Sequence, residues 1–213
     1  MITVWLFLVI AGFCVEAWKY ILYLDDSLAW LYFFGLSYEQ NLPTWYSSSL
    51  LLLCAVQLCL VAIGSTQQPA PFRLHWWLLA LAFCYISLDE AAELHEDLSL
   101  LFDFGGVLYF GWVLPAAAVV VVMGILYVPF LRHLNPRTRW QFMLAGTIYV
   151  GGALGVELLL GYWTDIHGTK NLGYGLIDLL EESMEILGAS LFFLALLEYL
   201  ATESRTIRIN VLR

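Results

Sequence analysis

The stretch WWLLALAFCYISLDEAAELHEDL, residues 76–98, passes from a wholly uncharged run into five carboxylates and a histidine. The run Trp76 to Ser87 is as apolar as lipid, and Asp89, Glu90, Glu93, His95, Glu96 and Asp97 follow at its end. An acidic helix end is either solvated and of little consequence or one part of a site. The rest of the chain discriminates between the two.

Composition sets the class. The 213 residues are 62% hydrophobic and 13% charged, with a mean hydropathy of +0.79. A soluble domain carries about a quarter charged residues, so this is an integral membrane protein with nothing left over for a soluble domain. Residues 1–213 read as a single transmembrane domain in the lipid bilayer of a bacterial inner membrane or its equivalent. The net charge of -9 argues against nucleic acid as a partner and against a polybasic grip on anionic lipid.

A bilayer core needs about 20 apolar residues per helix. Six runs qualify: about 2–24, 45–64, 74–93, 107–131, 140–163 and 176–200. The fold class is therefore all-α, a polytopic bundle of six transmembrane helices. The opening MITVWLFLVIAGFC lacks a basic n-region and reads as a retained span. Ser27 to Ser37 is too short to span, and its aromatics suit a segment at the interface. GYWTDIHGTKNLGYG, Gly161 to Gly175, reads as a polar loop. Pro115 is expected to free a backbone carbonyl inside the fourth span. Gly151 and Gly155, with Gly188, Ala189 and Ser190, are expected to let helices approach closely. The cysteines Cys14, Cys54, Cys59 and Cys84 read as buried small hydrophobes rather than a disulfide framework.

Basic residues give the orientation. Arg73, Arg132, Arg137, Arg139, Arg205, Arg208 and Arg213 all fall on one side if both termini are cytoplasmic, and residues 201–213 form a short basic tail there. The opposite side receives Lys170. Of the eighteen acids, all but Glu198 and Glu203 then lie in outer loops or the outer half of a span. Four groups share a depth: Glu16 in the first span, Asp89 to Asp97 ending the third, Glu157 in the fifth, and Asp178, Glu181, Glu182 and Glu185 opening the sixth.

At about 100° per residue, Asp89, Glu93 and Glu96 share one stripe, Glu90 and Asp97 lie about 80–100° from Asp89, and His95 points away near −120°. Glu90 and Asp97 are thus the acids expected to face solvent. Asp178, Glu181, Glu182 and Glu185 share one face of the sixth span. An ionised carboxylate in the bilayer is costly, and several on one face must meet water, share protons, pair with a base or bind metal. Bases on this side are few: Lys19, His95, His167 and Lys170. Lys19, three residues after Glu16, is placed to pair with it. His75 and His133 read as surface residues of the inner side.

The predicted cation ligands are Glu16, Asp89, Glu93, Glu96, Glu157, Glu182 and Glu185. Glu90, His95, Asp165, His167, Asp178 and Glu181 are second contributors. Carboxylates with one or two imidazoles suit a divalent metal ion. No Glu-x-x-His pair of a di-iron bundle occurs, nor an H-E-x-x-H, Walker or G-x-S-x-G motif. Three classes stay open: a metal-dependent membrane enzyme, a cation or proton transporter, and an accessory subunit bound to other membrane proteins. The inner halves of the spans offer few polar groups, chiefly Gln57, Gln141 and Thr147, which weighs against transport.

Overall fold

The structure, a computed structural model, describes residues 1–21, 26–64, 72–99, 101–102 and 104–203. The expected end of the first span at residues 22–24, most of the GSTQQPAP linker, and Arg205, Arg208 and Arg213 of the basic tail lie outside them. Among the described residues there is no strand. The helices are α1 (Ile2–Ile21), α2 (Leu42–Gly64), α3 (Arg73–Ala92), α4 (Leu94–Ser99), α5 (Val113–His133), α6 (Pro136–Val150), α7 (Glu157–His167) and α8 (Leu172–Glu203). A 3₁₀ segment, Asp26–Phe34, follows α1, and a π turn, Gly151–Val156, joins α6 to α7 without a break.

Five helices are long and apolar enough to cross a membrane: Ile2–Ile21, Leu42–Gly64, Val113–His133, the continuous Pro136–His167, and Leu172–Thr202. α3 has the length but carries Arg73, Asp89 and Glu90 within it. Large apolar side chains such as Phe7, Ile10, Val119, Ile125 and Leu159 are exposed on the flanks. Contiguous apolar surface on this scale suits lipid rather than water. Cys14 and Cys84 are exposed on these flanks, whereas Cys54 is buried; all four cysteines are free.

α8 is the central helix and packs against α1, α2, α6, the π turn and α7. Close approach depends on two glycines. A Cβ at Gly188 would lie 2.6 Å from the Tyr149 backbone nitrogen, and one at Gly152 would lie 2.9 Å from the Glu181 carbonyl oxygen. Gly155, expected to share this role, has open space around it. A π turn takes up an extra residue, so position i+4 no longer returns to the face that i occupies.

The chain sorts its charge between the two ends of the bundle. Arg73, Arg132, Arg137 and Arg139 lie at the end where α3 and α6 begin and α5 finishes, joined there by Glu198 near the end of α8; the acids of α3, α7 and the first half of α8 lie at the other. Between them, the half nearer the arginines is a dry core of Leu58, Trp76, Phe130, Phe142, Phe192 and Leu196. His75 is half-buried against this core rather than free on the surface. Its ring stacks on Phe130 at 5.7 Å, and its carbonyl accepts from Tyr127 Oη at 2.7 Å. α2 and α3 are clasped nearer the acidic end, where Ser48 Oγ donates to the Ser87 carbonyl (2.7 Å) and Ser87 Oγ to the Ser48 carbonyl (2.8 Å).

Three boundaries differ from those read in the sequence. Residues 107–112 are not part of the fourth span: Gly106–Leu108 is a 3₁₀ turn and α5 starts at Val113. Pro115 consequently sits in the first turn of α5, where a missing N–H costs no helical bond and no carbonyl is freed. The supposed loop from Gly161 to Gly175 shrinks to four residues, because α7 continues to His167 and α8 begins at Leu172. Gly168, at φ 71°, ends α7. Asn171 caps α8, its Oδ1 accepting from the Tyr174 N–H at 2.9 Å, which supplies one orphan amide with a partner.

Candidate cation site at the acidic end

The helix carrying the opening stretch breaks at Glu93. Its φ of 56° is left-handed, and its N–H still closes on the Asp89 carbonyl at 2.7 Å. α4 then leaves in a new direction. Angular positions extrapolated along α3 therefore fail beyond Ala92, and His95 is the main casualty. It does not point away from the acids. Its backbone N–H donates to Asp89 Oδ1 (2.9 Å) and its Nδ1 lies 3.1 Å from Asp89 Oδ2. Its ring packs on Trp112 at 4.9 Å.

Glu39, His95 and Glu96 each present a ligand atom, and the three atoms lie within 4.8 Å of one another. Glu39 comes from the segment before α2, outside every predicted span. By sequence it is one more outer-loop acid. Its spacing to the acids of α3 carries no signal, since a loop brings it there. Glu93 joins this rim, accepting from Gln40 Nε2 at 3.1 Å and bonding the Glu39 carboxyl.

The rim has a distinct electrostatic character. Burial pulls the His95 imidazole down, but the Asp89 hydrogen bond and the Asp89, Glu39 and Glu157 carboxylates outweigh it, raising His95 to about 9. Burial, the hydrogen bond to Glu93 and the charges of Glu93 and Glu96 push Glu39 up to about 8. Hydrogen bonds from Glu39 and Gln40 hold Glu93 below the usual carboxylate range.

Behind the rim lie the acids of the helices. Glu157 is 7% exposed and accepts from Trp112 Nε1 at 2.9 Å. It follows the π turn directly: its N–H reaches back five residues to the Gly152 carbonyl. π turns often sit beside functional residues because they re-aim the next side chain. Glu157 and Glu181 hydrogen-bond through their carboxyls. Glu181 is 7% exposed, and its Oε2 has no partner. Glu185 bonds Tyr149 and interacts with Glu90, His95 and Glu157. Glu182 interacts with Glu90, Glu185, Asp178 and Glu39.

Glu90 is therefore not a solvent-facing acid. It is half-buried, bonds Ser47 of α2 and faces Glu182 and Glu185. Glu90 lies on a different side of α3 from Asp89, as its spacing predicts, but α2 and α8, which run opposite to α3, put protein on that side. Asp97 is exposed.

Other predicted contributors lie elsewhere. Asp165 faces Gly105, and His167 stacks on Trp163 at 4.1 Å. Glu16 is fully buried, and among the described residues neither of its carboxylate oxygens has a hydrogen-bond partner. Lys19 does not pair with it directly; the ammonium donates to Tyr38 Oη. Glu16 lies against Gly175 in a separate cavity, and Asp178 interacts with both Glu16 and Glu157. Among the described residues, no lysine or arginine forms an ion pair with the acids of the rim or with Asp178, Glu181, Glu182 and Glu185 of α8.

Residues 1–200 match the family described as Domain of unknown function (DUF8692), and the chain belongs to that family. No curated protein and no solved structure matches it.

Proposed function

Taking the chain as a DUF8692 membrane protein, we propose that it binds a divalent cation at its acidic end, in a site open to the outer face of the membrane. In this reading α3 completes a bundle of six spans, and both termini are cytoplasmic. Glu39, His95 and Glu96 are the first ligands to engage the ion. Asp89 orients the imidazole. Glu90, Glu93, Glu157, Glu181, Glu182 and Glu185 supply the surrounding negative charge, with Asp178 at its edge.

The observation that carries this reading is the Asp89–His95 hydrogen bond. Asp89 engages Nδ1, which leaves Nε2 as the nitrogen available to a metal. A carboxylate that orients a histidine in this way is the usual outer partner of a metal-binding imidazole. One imidazole among carboxylates favours manganese, iron or zinc over calcium and magnesium, which prefer oxygen alone. A bound cation also offsets a crowd of carboxylates that His95 alone does not balance.

The dry aromatic core beneath the site supports a one-sided role. Trp76, Phe130, Phe142 and Phe192 fill the path toward the arginine end, and a transport route needs polar groups there. Binding, or metal-assisted chemistry on a substrate reaching the outer face, is compatible with this arrangement.

The test is metal analysis of the full chain purified in detergent, followed by titration with Mn²⁺ and Zn²⁺. Stoichiometric binding is expected, and Glu39→Gln and His95→Gln should each weaken it by about tenfold to a hundredfold. Absence of any bound metal, with neither variant altering titration or stability, would sink the reading. Reporter fusions at each terminus test the orientation: both must report the cytoplasm.

A further inference from the structure

The chain contains two lysines, Lys19 and Lys170. Neither neutralises the acid cluster. Both instead line one cavity of about 360 Å³ between the end of α1, the segment before α2 and the start of α8. That volume lies within the range of small-ligand pockets, about 300–1,000 Å³.

The cavity has two chemically opposite walls. On one, the Lys19 ammonium bonds Tyr38 Oη and sits 4.7 Å above the Tyr20 and Tyr38 rings. These contacts fix the charge in place. Lys170 stands opposite, exposed on the loop between α7 and α8. The other, one turn back along α1, is Glu16, fully buried, and among the described residues neither of its carboxylate oxygens has a hydrogen-bond partner. A buried carboxylate without a donor is costly. Gly175 makes room for it: a methyl group at that position would overlap Glu16 Oε2.

We propose that this cavity binds a small zwitterion, its phosphate or carboxylate group between Lys19 and Lys170 and its primary ammonium donating to Glu16. The anion answers two cations, of which Lys19 is held in place by Tyr20 and Tyr38. The ammonium supplies the donors that Glu16 lacks. Two sources carry this chemistry: the headgroup of phosphatidylethanolamine and a free metabolite such as phosphoethanolamine. The cation site does not enter the argument, because Glu39, His95 and Glu96 line none of this cavity.

The full chain in nanodiscs of mixed phosphatidylethanolamine, phosphatidylglycerol and phosphatidylcholine, analysed by native mass spectrometry, tests the lipid source. Titration of the detergent-purified chain with phosphoethanolamine, followed by tryptophan fluorescence, tests the free one. Preference for the ethanolamine lipid, saturable phosphoethanolamine binding, or both is the expected result. Loss of a charge-assisted hydrogen bond in Glu16→Gln should lower the ethanolamine preference by about tenfold or more. Lys170→Ala, on an exposed loop where folding is not at risk, should weaken the anion contact to a similar degree. Equal retention of the three lipids with no phosphoethanolamine binding would overturn the proposal. So would lipid retention and phosphoethanolamine affinity both unchanged in Lys170→Ala, whatever Glu16→Gln does.

Discussion

Cation affinity should rise with pH, with a slope set by two protons. His95, raised to about 9, and Glu39, raised to about 8, both hold a proton at neutral pH. A metal needs the lone pair of each, so binding must expel both. Below about pH 8 the affinity should climb roughly a hundredfold per pH unit; between about 8 and 9 the slope falls to roughly tenfold, and above about 9 it flattens. His95→Gln removes one proton from the exchange, leaving roughly a tenfold slope below about pH 8 and none above. Titration with Mn²⁺ in the presence of a competing chelator, on the purified chain in detergent, reads these slopes. An affinity independent of pH, or a wild-type slope in His95→Gln, would refute the ligand assignment.

The same two groups act on the cation-free protein in the opposite sense. Each folded value lies above its ordinary one. The contribution of His95 is whole below its ordinary value of 6.5 and is lost as pH rises through about 9. Its side chain is 28% exposed, so at about 1.4 kcal/mol per unit the effect is on the order of 2–3 kcal/mol at most. Glu39 adds to the loss between its ordinary 4.5 and about 8. Thermal unfolding of metal-free protein should therefore occur at lower temperature at high pH, and excess metal should reverse the trend.

Three further outcomes follow from the packing. Gly188→Leu forces side-chain atoms into the Tyr149 backbone 2.6 Å from the position of its Cβ, and should destabilise the bundle by about 1–3 kcal/mol or abolish folding; a normal unfolding midpoint in detergent would contradict the α6–α8 contact. Ser48→Ala and Ser87→Ala each remove one hydroxyl-to-carbonyl bond of the α2–α3 clasp and should each cost about 0.5–2 kcal/mol; an unchanged unfolding midpoint in both variants would disprove it. Arg137→Ala removes the pair with Glu198 (2.8 Å), in which the arginine side chain is 75% exposed; its cost should stay below about 1 kcal/mol and shrink with salt.

Much of the architecture was legible in the sequence. Runs of about 20 apolar residues identify helices that no soluble fold would leave exposed, and the separation of acids from arginines along the chain already places them at opposite ends. The α8 acids share a face because a continuous helix keeps its 100° step. Glu157 could be found the same way, as an acid with apolar residues on both sides.

The site itself was decided by tertiary structure. The left-handed backbone at Glu93 swings His95 back onto Asp89, and no wheel carries across such a break. Glu39 reaches His95 from a loop, where no period exists to extrapolate. The π turn re-aims Glu157 and removes Gly155 from the interface. Lys19 turns to Tyr38 instead of Glu16, because the segment after α1 folds back beside it. In the stretch from Trp76 to Leu98, periodicity determines which residues lie together as long as the helix is unbroken. Beyond Ala92 only the packing of the other helices and loops determines what the carboxylates face.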